Sequence, residues 1–193
     1  MMCMPVTRGS LTRIGLVALT MFAGGCGDDD DNGDAGETEL INEVTLTLTP
    51  VGGGPAQVAI IVDPDGNGPL PPEAQDGALT LTPGTVYAGT IALTNSTVNP
   101  PIDITAEVIA ESDEHRFFYT VTPQPGVEVT GLDLDDYGVV FGQTFDVDVA
   151  GGAAVRNYDI NVVLSHYDDV PKGDGQTRSP ETDVDVTFIA TVP

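Results

Sequence analysis

The stretch NEVTLTLTP, residues 42–50, decides the fold. Val44, Leu46 and Leu48 alternate with Thr45, Thr47 and Thr49, and Pro50 stops the run. A period of two places the aliphatic side chains on one face and the threonines on the other, which is the pattern of a half-buried strand. The same texture recurs in AQVAIIVD, GALTLTP, TVYAGTIALTN, EHRFFYTVTP, VEVTGLDL, VVFGQTFDVDVA, AVRNYDINVVLSHY and DVDVTFIATV. Each run is bounded by Gly, Pro, Asn or Asp. Roughly nine strands at this spacing predict an all-β domain over residues 39–193, a single antiparallel, immunoglobulin-like β-sandwich. No long helical window is present to supply the crossovers of a parallel sheet. One segment, PIDITAEVIAESDE, reads as a short helix near residues 103–113 with Asp103 as its N-cap.

The start of the chain has a different character. Arg8 and Arg13 flank a positive segment, and IGLVALTMFAGG is an apolar run of about a dozen residues, short of the roughly 20 that span a bilayer. It ends in Ala23-Gly24-Gly25-Cys26, which resembles the lipobox of bacterial lipoproteins. The resemblance implies a signal peptide over residues 1–25 and lipidation of Cys26, with the domain held at the membrane by its acyl chains. GDDDDNGDAGET, which follows, has no apolar periodicity and reads as an acidic disordered tether, so that residues 26–38 form the lipidated cysteine and its spacer. In the enteric lipoprotein pattern that this start resembles, Asp after the cysteine is an inner-membrane retention signal, so Gly27 there implies the outer membrane, in a periplasmic or surface-exposed position.

The net charge of the whole chain is -24. Beyond the signal, only Arg116, Arg156, Lys172 and Arg178 stand against 30 acidic residues. Such a surface repels phosphates, so nucleic acid is not expected as a partner. Dispersed acids with a single lysine fit a halophilic protein, because high salt screens self-repulsion. Cys3 departs with the signal and Cys26 is acylated, which leaves no thiol for catalysis or disulfides. No GxSxG, HExxH or phosphate-binding glycine loop occurs, so the chain is not expected to be an enzyme.

Two histidines carry the chemistry that remains. His115 shares a strand face with Phe117, Tyr119 and Val121, and His166 shares one with Tyr158, Ile160, Val162 and Leu164. Each stands near a strand end on a core-facing register. If their strands are neighbours, the imidazoles meet at the rim of the sandwich. Glu111, Glu114 and Asp168 are close in sequence and would complete a nitrogen–oxygen site for a divalent metal. DPDGNG, residues 63–68, matches the first half of a calcium loop, with Asp63, Asp65 and Asn67 as alternate oxygen donors. Position twelve of that loop is Ala74, and Pro64, Pro69, Pro71 and Pro72 exclude an EF-hand helix.

EVTLTLTPVGGG, DPDGNG, ESDEHRFFYTV, VVLSHYDDVPKGDG and ETDVDVTF occur in an order that resembles a group of small envelope lipoproteins of marine and halophilic Gram-negative bacteria. Members often carry the label "type 1 periplasmic binding fold superfamily protein". That label names a two-lobed α/β architecture, which the strand-rich pattern does not support. The resemblance implies a binding module for a metal or small ligand, accessory to an outer-membrane receptor of the TonB-dependent class. The alternative expectation is a structural or adhesive surface module stabilised by calcium.

Overall fold

The computed structural model describes residues 40–66, 70–168 and 170–193. The expected signal peptide, Cys26 and acidic tether lie outside these residues. The elements in chain order are β1 (Glu43–Pro50), β2 (Gln57–Val62), β3 (Leu79–Thr80), β4 (Val86–Asn95), β5 (Ile102–Asp103), α1 (Thr105–Ala110), β6 (His115–Thr122), β7 (Val127–Thr130), β8 (Thr144–Val149), β9 (Arg156–His166) and β10 (Glu181–Val192). They form two sheets, one ordered β2-β1-β4-β8-β7 with β5 paired to β4, the other ordered β3-β10-β9-β6. Every pairing is antiparallel except that of β3 with β10.

Without β2, β3 and β5, the two orders become β1-β4-β8-β7 and β6-β9-β10. These are the A-B-E-D and C-F-G sheets of an immunoglobulin constant-type sandwich, strand for strand in chain order. A second hallmark agrees. Tyr158, fully buried near the start of β9, donates its hydroxyl to the Ala154 carbonyl at 3.4 Å. This is the tyrosine corner that fixes the connection into strand F. Gly126, at φ +138, lies against it, and a Cβ there would stand 2.4 Å from the phenol oxygen. Where antibodies place a cysteine two residues further along, this chain has the buried Ile160.

Alternation builds the core. On β4, Tyr87, Ile91 and Leu93 face inward, and on β1, Val44, Leu46 and Leu48 do the same. They meet Phe117, Tyr158, Ile160, Val162, Leu164, Val186 and Phe188 of the other sheet in one cluster. Each fully buried aliphatic or aromatic side chain contributes about 1.5–3 kcal/mol of transfer free energy.

Two connections shape the end of the sandwich where β6 begins and β9 stops. The β4–β6 connection holds β5 and α1, a helix of 6 residues. Its position confirms the expected helix but corrects its cap. Asp103 belongs to β5, Ile104 occupies the N-cap without a side-chain bond, and Asp103 Oδ1 accepts the Thr105 N–H at 2.9 Å. The β7–β8 connection folds back on itself through a Leu134–Val140 bridge and lies along the free edge of β6. There Phe117 N–H donates to the Phe141 carbonyl at 2.7 Å, which closes an edge that would otherwise be open to pairing.

Candidate functional site

His115 is the first residue of β6 and His166 the last of β9, and the two are direct register partners. Their rings stack with centroids 4.3 Å apart and planes 21° from parallel. The strand parity read from the sequence therefore brings the two imidazoles together inside the sandwich. Both are buried.

The third member comes from β10. Along that strand Val192, Ala190, Phe188, Val186 and Val184 face inward and alternate with exposed residues. Continued alternation would turn Asp183 outward. Instead the pairing of β10 with β9 shifts between Thr182 and Val184. This irregularity makes Asp183 the extra residue of a β-bulge, and a bulge re-aims a side chain. Asp183 and Val184 are buried in succession. Asp183 Oδ2 lies 3.7 Å from His115 Nε2, and Oδ1 lies 3.8 Å from His166 Nδ1.

These separations exceed hydrogen-bond length. They approach the roughly 3.3 Å between donors that each sit 2.0–2.1 Å from one tetrahedral ion. The three donor atoms all lie within 4.8 Å of one another. The tautomer is also set. His115 Nδ1 lies 3.1 Å from the Glu111 carbonyl oxygen. A carbonyl only accepts, so Nδ1 carries the proton, and Nε2 is the atom turned toward Asp183. An outer carbonyl fixing the ring of a ligating histidine is a common support in metal sites.

The carboxylates chosen for this site from sequence proximity lie elsewhere. Glu111 is exposed at the end of α1, and its backbone carbonyl is what meets His115. Glu114 is exposed, and its carbonyl accepts the Tyr167 N–H at 2.7 Å. Asp168 is exposed on the β9–β10 connection. Proximity along the chain favoured them. Asp183, from the third strand, needed the bulge to be seen.

The expected calcium loop is described in part. Asn67 lies outside the described residues. Asp63 and Asp65 are half-buried, with the Asp65 N–H 3.4 Å from Asp63 Oδ1 and the Leu70 N–H donating to Asp65 Oδ2 at 3.2 Å. Burial pushes the Asp63 carboxyl up, the Asp65 N–H opposes this, and the neighbouring Asp65 carboxyl reinforces it. A cavity of about 40 Å³ is lined by Asp63, Asn42 and Asp183, so the loop and the histidine cluster share one end of the sandwich.

That end is braced by the chain's single lysine. Lys172 Nζ donates to Asp135 Oδ2 at 2.7 Å and to the Ser112 carbonyl at 2.6 Å. Asp135 Oδ1 in turn accepts the N–H groups of Tyr137 and Val139. One ammonium thus ties the β9–β10 connection to the β7–β8 turn and to the segment after α1.

No protein-family model matches this chain, and no curated protein or solved structure matches it.

Proposed function

We propose that this chain is an envelope lipoprotein whose sandwich binds a divalent transition metal through His115, His166 and Asp183. The observation that carries the reading is the bulge at Asp183, which places a carboxylate beside two stacked imidazoles where strand alternation would have turned it to solvent. Two imidazoles and a carboxylate suit zinc, iron, nickel or copper better than calcium or magnesium. Burial of all three donors favours holding an ion over turning over a substrate. In immunoglobulin-type domains the B–C and F–G connections cluster at one end and form binding surfaces, and the cluster lies beneath the corresponding pair here. That likeness is one of fold alone. The lipobox-like Cys26 and the acidic spacer support attachment to the outer membrane, where delivery of a metal to a membrane receptor would fit.

The test is metal content and titration on the purified full chain, with the His115→Ala/His166→Ala double variant beside it. Stoichiometric loading of the wild type with a transition metal, lost in a variant that still melts cooperatively, is the expected result. Equal loading of both proteins would overturn the reading.

A second reading, a surface module stabilised by calcium, draws on Asp65 Oδ1, a buried carboxylate oxygen with no hydrogen-bond partner among the described residues. Melting in millimolar calcium, unchanged by Asp63→Asn and Asp65→Asn, would dismiss it.

A further inference from the structure

The outer face of the same sheet carries a second polar pair. Arg116 follows His115 on β6, Ser165 precedes His166 on β9, and the two are register partners. Strand parity turns them away from the histidine cluster, to the opposite face. Side chains directly opposite on antiparallel strands stand about 4.5–5.5 Å apart at Cβ.

This face is covered. Arg116 is 8% exposed and Ser165 is 0% exposed. The guanidinium stacks on the Phe118 ring with Cζ 4.2 Å from its centroid, and Arg178 approaches the same ring at 5.4 Å. The β9–β10 connection closes over Arg116 at Gly175, where an added Cβ would lie 3.3 Å from Arg116 Nη1 and 2.8 Å from Val139 Cγ1. Gly175 has φ +67, so both its backbone and the space above it require glycine.

The buried groups are unusual in what they lack. Arg116 Nε and Nη1 and Ser165 Oγ have no hydrogen-bond partner among the described residues. Nor does any carboxylate of those residues form an ion pair with Arg116. Asp174, which bears on its charge from a distance, is exposed and accepts the Gln176 N–H at 3.0 Å. A buried arginine with Nε and Nη1 unpartnered is costly unless an anion compensates it. Burial accordingly pulls the guanidinium below its ordinary value, with the Asp174 carboxylate among the groups opposing.

We infer that Arg116 and Ser165 form a site for a small monovalent anion, chloride or a carboxylate, enclosed between β6, β9 and the β9–β10 connection. The guanidinium supplies charge and two directed N–H donors, and the hydroxyl supplies a third. Phe118 backs the guanidinium, and Val139 stands beside Gly175 above it. The site does not depend on the histidine cluster, which lies on the other face of the sheet.

Melting of the full chain in sodium chloride, sodium acetate and sodium methanesulfonate at equal ionic strength tests this, methanesulfonate being the bulky reference. At a concentration a hundred times the dissociation constant, a bound anion raises the melting temperature by roughly 5 °C. The expected result is such a rise with chloride, acetate or both over methanesulfonate, and its loss in Ser165→Ala. Whichever salt acts identifies the source of the charge. Identical melting in all three salts, or an unchanged rise in Ser165→Ala, overturns the proposal. Crystals grown with bromide give a second reading that needs no variant. An anomalous peak within hydrogen-bond range of Arg116 Nη1 is expected, and an ordered water there refutes the site.

Discussion

Lys172 Nζ sits 2.7 Å from Asp135 Oδ2, with the two side chains 5% and 1% exposed, so the only lysine of a strongly acidic chain is spent inside it. Removing one partner of such a pair strands a buried charge and costs about 3–5 kcal/mol. Lys172→Met should therefore lower the melting temperature by roughly 6–20 °C for a domain of this size. Adding Asp135→Asn, which keeps the acceptor for the Tyr137 and Val139 N–H groups, should restore most of that loss. Calorimetry on the two variants checks both steps.

The same pair predicts a pH dependence. Burial alone pushes the Asp135 carboxyl up, but the Lys172 hydrogen bond, the Val139 N–H, the Lys172 charge and the Tyr137 N–H together hold it below its ordinary 3.8. A carboxyl depressed in the folded state is protonated first in the unfolded chain. Its contribution is therefore fully present above 3.8 and lost as pH falls through the lower folded value. In urea titrations the stability gap between wild type and Asp135→Asn should stay constant at neutral pH and shrink steadily as pH falls below the ordinary 3.8. A gap that grows as pH falls below 3.8 would contradict the assignment.

If Asp183 is a ligand, Asp183→Asn should weaken metal binding by at least about 100-fold, beyond the roughly 10–100-fold typical of losing a supporting contact. Glu114→Gln and Asp168→Asn should bind as the wild type does. Competition against a chelator of known affinity ranks the three variants. Equal affinities for all would remove Asp183 from the site.

Gly126 offers a test of the corner that orders β9. Gly126→Ala places a methyl 2.4 Å from the Tyr158 hydroxyl at a backbone angle that alanine resists, and should cost about 2–4 kcal/mol. Gly151→Ala, with nothing within 4 Å of its new methyl, should stay within about 0.5 kcal/mol.

Lipidation is read from Cys26 and its neighbours alone. Labelled palmitate fed to expressing bacteria should enter the wild-type chain and not Cys26→Ser, which should also leave the membrane fraction. Equal labelling of both would end the lipoprotein reading.

Most of the sandwich was legible because alternation is a two-residue signal and one face of each long strand is dry. Val44, Leu46 and Leu48, or Tyr158, Ile160, Val162 and Leu164, announce their face without help from the rest of the chain. The same parity placed His115 and His166 correctly. Pairing order was less legible, since register and strand neighbours depend on contacts between segments more than fifty residues apart, as with His115 and His166 themselves. Asp183 was hidden for a sharper reason. In ETDVDVTF the parity of Val184, Val186 and Phe188 points Asp183 to solvent, and only an irregularity in pairing reverses it. The two-residue strands β3 and β5 likewise owe their existence to neighbours rather than to local propensity.

The route by which β1 enters has a practical bearing. Glu43 pairs with Thr94 at the end of β4, Ser96 N–H donates to Asn42 Oδ1 at 2.6 Å, and Asn42 and Asp183 line the same small cavity. β10 finishes at the far end, where Val192 pairs with Arg156. A bulky attachment made next to Leu40 would therefore crowd the cavity end of the domain, while one made after Val192 would leave it clear.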